Sequence, residues 1–97
     1  MSKNINIKNT TSFTDTKAWA RSSFPNTCNT FLITELEDTN DPNNYKFVFF
    51  IKNGNNYYLT LEDDLTCIKT IALGNDLNIY PDNIFDNYIQ HFIANYL

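Results

Sequence analysis

Eleven carboxylates, two thiols and one imidazole are the groups in this 97-residue sequence with the chemistry to act on, hold or steer another molecule. Seven of the carboxylates fall in two short stretches: Glu35, Glu37, Asp38 and Asp41 in the first, and Glu62, Asp63 and Asp64 in the second. Glycoside hydrolysis would require two such groups held across a cleft, one with its pKa raised by burial. Both stretches lie in polar, turn-rich sequence, so they are expected to be solvated and no catalytic pair is assigned. Oxygen ligands are dense from Glu37 to Asp41, but Pro42 and Asn43 stand where an EF-hand needs further ligands and its turn glycine, and no Glu closes the loop. Cys28 and Cys67 are distant in sequence and lack CxxC spacing, and His91 is the only histidine. Neither a zinc site nor a nucleophile–base pair follows from three such scattered groups. Buried, unreactive thiols are the expectation for the two cysteines. The two glycines, Gly54 and Gly74, sit in turn signals, so the glycine-rich cradle of a nucleotide site is absent. No enzyme, metal or cofactor is expected.

A net charge of -4 and a pI near 4.6 oppose direct binding of nucleic acid, which draws its affinity from clustered Lys and Arg. The same balance suits a protein that approaches a basic partner, because complementary fields raise association rates. Neither a signal-peptide run nor a stretch of 18 apolar residues is present, which predicts a cytoplasmic location and no membrane span. Sixteen Asn, ten Ile and six Lys against one Arg fit an AT-rich coding sequence, pointing to a bacterium of low GC content or its phage.

The elements that must position these groups follow from periodicity. Residues 1–97 are read as one domain, since a single core serves about 100 to 200 residues. Residues 1–12 are expected to form a loose arm or an edge strand, with Ile5 and Ile7 alternating. A short helix should start with Thr14 or Asp15 as its cap and stop near Ser23 before Pro25, anchored by Trp19 and Phe24. Four strands are predicted next, at Thr30–Glu37, Tyr45–Lys52, Tyr57–Glu62 and Leu65–Leu73, separated by the 38–44 loop, the 53–56 turn and Asp63-Asp64. After a short apolar connection from Leu77 to Tyr80, the period becomes helical from Asp82 to Leu97, with Asp82 as the cap. Ile84, Phe85, Tyr88, Ile89, Phe92, Ile93, Tyr96 and Leu97 fall within about half a turn of that helix. The predicted class is α+β, with a four- or five-stranded antiparallel meander, a short N-terminal helix and a long C-terminal amphipathic helix packed on the sheet. This helix–sheet–helix order is superficially similar to that of a double-stranded-RNA-binding domain, but the acidic balance opposes that activity.

In a meander the two acidic stretches meet, because alternate strands reverse direction. Glu35, Glu37, Asp38, Asp41, Glu62, Asp63 and Asp64 should gather at one pole, with Lys46 as the only nearby cation. A second candidate surface is aromatic. Val48, Phe50 and Tyr58 are expected opposite Phe47, Phe49 and Leu59, and form an exposed patch unless the Trp19 helix covers them. Together these features favour a protein-binding chain: an inhibitor or immunity-type factor acting by occlusion on a partner with a basic, nucleic-acid-binding groove. In size and charge it is similar to phage inhibitors of nucleases, including anti-CRISPR proteins. Two other classes stay open, a subunit that completes a homo-oligomer and a small-molecule-binding domain.

Overall fold

In the computed structural model, which describes residues 4–22, 28–64 and 66–97, alternation between polar and apolar residues builds a five-stranded antiparallel sheet. The strands are β1 (Ile5–Lys8), β2 (Cys28–Asp38), β3 (Tyr45–Asn53), β4 (Asn56–Glu62) and β5 (Cys67–Gly74), and their order in the sheet is their order in the chain. Helix α1 (Phe13–Ser22) connects β1 to β2; a 3₁₀ turn (Leu77–Ile79) and helix α2 (Ile84–Tyr96) follow β5. The α+β meander expected from the sequence is the architecture observed. The proposed arm is the edge strand β1, paired to β2 with Ile7 opposite Leu36 and Lys8 opposite Glu35. The expected roles of Ser23, Phe24 and Pro25 in ending α1, and of Leu65 in opening β5, lie outside the described residues.

Both helix starts differ from expectation. The α1 cap is Ser12, whose Oγ accepts from the Asp15 N–H at 3.1 Å, rather than Thr14 or Asp15. Ser12 stands just before the first helical residue, where its oxygen reaches the third helical N–H; Thr14 and Asp15 are already inside the first turn. Asn83, not Asp82, precedes α2, and its side chain makes no capping bond. The start of α2 is instead held by backbone, the Ile84 N–H donating to the Pro81 carbonyl at 3.1 Å.

Both helices cover the same face of the sheet. Phe50, completely buried, is the hub: Trp19 meets it edge-on at 6.0 Å between ring centroids, Tyr57 stacks at 5.5 Å and Phe85 leans on it at 6.3 Å. Phe13 of α1 and Phe85 of α2 touch at 5.1 Å, closing the helix layer. Val48, Leu59 and Leu61 complete the centre of this core with no exposure at all. A bulge between Leu32 and Thr34 inserts Ile33, so Ile33 and Thr34 are both fully buried. Lys52 ends the covered row of β3, only 5% exposed, and its Nζ donates to the Ala20 carbonyl of α1 at 2.7 Å. That carbonyl is among the last four of the helix, which have no intrahelical donor.

Candidate protein-docking face

Register decides which side chains the helices leave uncovered, since residues paired across an antiparallel ladder share a face. Phe50 pairs with Leu59 and Val48 with Leu61, so Val48 and Phe50 belong to the buried face. The expected patch of Val48, Phe50 and Tyr58 is therefore corrected. Val48 and Phe50 are core, and Tyr58 pairs with Ile51 on the other side. Leu59, expected with Phe47 and Phe49, lies instead with Phe50. The inversion has a physical cause. The two lysines of β3 register to the helix side, but they sit at the two ends of the strand, where Lys52 finds the end of α1; only Val48 and Phe50 lie under the middle of the helix layer.

The uncovered face is consequently the more apolar row of β3. Tyr45 and Phe47 lie 5.2 Å apart between ring centroids and Phe47 and Phe49 are stacked at 6.0 Å, with Ile51 continuing the line. All four are partly exposed, and among the described residues no helix lies over them. Leu32, paired with Phe49, is 36% exposed at one flank, and Tyr58 stands at the other. Thr60, sheltered among larger neighbours, is nearly buried at 3%.

This row runs into the carboxylates. Glu35 on β2 and Glu62 on β4 are the two direct cross-strand partners of Phe47, and Glu37 is the partner of Tyr45. Asp38 ends β2, Asp41 lies in the loop joining β2 to β3, and Asp63 and Asp64 lie in the turn after β4. The two loops approach closely enough that Pro42, Asn43, Tyr45, Asp63, Asp64 and Thr66 line one open groove of about 390 Å³. The structure thus brings all seven carboxylates to one end of the sheet.

Several of them are committed to internal bonds. Asp38 accepts from the Asn40 N–H at 2.9 Å and from the Asn44 amide at 3.2 Å, Asp41 from the Asn43 N–H at 3.1 Å, and Asp63 from the Thr66 N–H at 3.0 Å. The three bonds from backbone N–H groups are short side-chain-to-backbone turns that shape the loops, and the Asn44 amide ties the two ends of the 38–44 loop together. Glu35 accepts from the Tyr45 hydroxyl and the Asn9 amide, and these two bonds hold its carboxyl below its ordinary pKa of 4.5. Among the described residues the cation paired at the pole is Lys8, not Lys46: Lys8 Nζ lies 3.2 Å from Glu37 and 6.0 Å from the Tyr45 ring centroid, whereas Lys46 pairs with buried Leu36 on the helix side. Its bond to Glu37 raises the pKa of Lys8 above 10.5. The signal that would have located Lys8 is the pairing of β1 with β2, a contact spanning 29 residues that local periodicity does not carry.

By register the two thiols lie at the margins of this face, and the imidazole stands on α2. Cys28 and Cys67 are both exposed, against the expectation of buried thiols. Cys28 pairs with Asn53 and Cys67 with Glu62, which places them at opposite ends of the sheet. Six residues of β3 separate those levels, about 20 Å of strand, well beyond disulfide range. His91 is exposed on α2, its Nδ1 3.2 Å from the Asn95 amide. Among the described residues no three His, Cys, Asp or Glu side chains are placed to hold a metal ion, and no helix is long and apolar enough to cross a membrane. The assembled picture is of a two-layer α+β domain with one helix-covered face and one open, aromatic face bordered by acid. No protein-family model matches the chain, and no significant match exists among curated proteins or solved structures.

Proposed function

We propose that this chain is a small protein-binding inhibitor or immunity-type factor that occludes a partner by docking its open sheet face. The observation that carries the reading is the uncovered row Tyr45–Phe47–Phe49–Ile51, which ends among carboxylates. Aromatic side chains are the residue class that most often anchors interfaces, and carboxylates at one end give the approach a direction. A partner complementary to both has apolar groups beside Lys or Arg. A nuclease or another enzyme with a basic nucleic-acid groove fits that description, and occlusion of the groove is the mechanism that follows.

The test is capture of the partner from host lysate, followed by its association with purified wild-type and Phe49→Ala chains at low and moderate salt. Weakening of about tenfold or more by Phe49→Ala, with a wild-type on-rate that falls as salt rises, is the expected result. A partner that binds Phe49→Ala as tightly, at a rate indifferent to salt, overturns the reading. The second class, a homo-oligomer subunit, rests on the same apolar row, and solution mass separates the two: a dimer dispersed by Phe49→Ala would favour it.

A further inference from the structure

The setting of Phe47 carries a more specific statement, which rests on the reading of the open face as the binding surface. Phe47 is flanked on both sides, in direct register, by Glu35 and Glu62, with the Tyr45 and Phe49 rings next to it along the strand at 5.2 and 6.0 Å between centroids. A planar aromatic face between two carboxylates fits a guanidinium, which lies flat on a ring while its N–H fork reaches a carboxylate with two parallel bonds. Among the described residues no cation of the chain lies over the Phe47 ring. Lys8 is taken by Glu37 and Tyr45, while Lys46 and Lys69 pair with Leu36 and Leu61 on the helix side. The two carboxylates differ in availability. Each Glu35 oxygen already accepts one bond, from Tyr45 and from Asn9, whereas Glu62 accepts the Thr60 hydroxyl at 2.7 Å on one oxygen, and among the described residues its other oxygen accepts none. We propose that Phe47 and Glu62 form a subsite for the guanidinium of an arginine on the partner protein. Phe47 supplies the stacking surface, Glu62 the fork's acceptor, and Glu35 a fixed second charge.

The subsite can be tested without the natural partner by titrating the full chain, in low salt, with three short capped peptides that differ at one position: arginine, lysine or citrulline. Lysine keeps the charge and loses the planar fork; citrulline keeps the near-planar shape and loses the charge. The arginine peptide is expected to bind at least about fivefold more tightly than either, with amide shifts centred on β3 and β4. Phe47→Leu and Glu62→Gln should each reduce that preference to near unity, whereas Asp86→Asn, an exposed carboxylate on α2, should leave it unchanged. Glu62→Gln is a change at the sheet's rim, so it supplies the answer even if Phe47→Leu perturbs the fold. Equal binding of arginine and lysine, equal binding of arginine and citrulline, or no binding of any peptide overturns the subsite. If that happens while Phe49→Ala still releases the captured partner, the docking face survives and only the arginine assignment falls.

Discussion

Replacing Phe49 and Phe50 one at a time by alanine tests the face assignment, because the two neighbours are chemically identical and lie on opposite sides of one strand. Phe50 has no exposure and touches rings from α1, β4 and α2. Phe-to-Ala changes at such sites cost about 3 to 5 kcal/mol, the lost transfer energy plus a cavity the packed surroundings only partly close. Phe49 is partly exposed and packs on Phe47 alone among the rings, so its removal forfeits about half of the roughly 1.5 to 3 kcal/mol of a fully buried side chain. For a domain with about 5 to 15 kcal/mol in total, the first loss is severe and the second is mild. With a urea slope of about 1.5 kcal/mol per molar, Phe50→Ala should lower the midpoint by about 2 to 3 M and Phe49→Ala by less than about 1 M. Trp19, the only tryptophan, is the reporter: it stacks on Phe31 at 4.8 Å and meets Phe50 edge-on, so its native emission should change in Phe50→Ala and persist in Phe49→Ala. Equal midpoint shifts, or a larger shift for Phe49→Ala, would refute the placement of the helices and with it the docking face.

Three other outcomes follow from particular bonds. Lys52→Met keeps the stem's packing but strips the Ala20 carbonyl of its donor, and a loss of about 1.5 to 3 kcal/mol is expected by urea titration, less whatever desolvating the ammonium had cost. The lowered pKa of Glu35 contributes stability that is present above its unfolded value of 4.5 and is lost as pH falls through the folded value. The raised pKa of Tyr45, set first by the same bond to Glu35, contributes stability that is present below 10.0 and is lost as pH rises through the folded value. Tyr45→Phe should therefore flatten both limbs of a melting-temperature profile, and a profile parallel to that of the wild type would count against the bond. Under mild oxidation, Cys28 and Cys67 should yield disulfide-linked oligomers and no internally bridged monomer, read by mass under non-reducing conditions.

The sequence carried the strands and the final helix well, because each is written in local signals: period two from Tyr45 to Asn53, a turn at Gly54, period 3.6 from Ile84 to Tyr96. It also carried the acidic pole, since the order of reversals in a meander follows from turns alone. It did not carry which face of the sheet is buried. Along β3 the wholly apolar set Tyr45, Phe47, Phe49 and Ile51 competes with the set bracketed by Lys46 and Lys52, and binary patterning favours burying the former. The resolution depends on where α1 ends, since Ala20 supplies the acceptor that lets Lys52 lie under the helices. That acceptor is 32 residues away in sequence. Lys8 was missed at the pole for the same kind of reason, its partner being supplied by a strand across the α1 connection.

Strand order has a further consequence, for the speed at which the chain folds. Because β2 through β5 each pair with the strand next in sequence, three of the four ladders close short loops and incur little chain entropy at each step. The tight 53–56 turn makes β3–β4 the natural nucleus, with β2 and β5 adding on either side. Strand β1 is the exception, since its ladder to β2 must wait for the α1 crossover. Assembly should thus run outward from the central hairpin and finish at β1, so the Lys8–Glu37 pair would form after the rate-limiting barrier and influence the rate of unfolding more than that of folding.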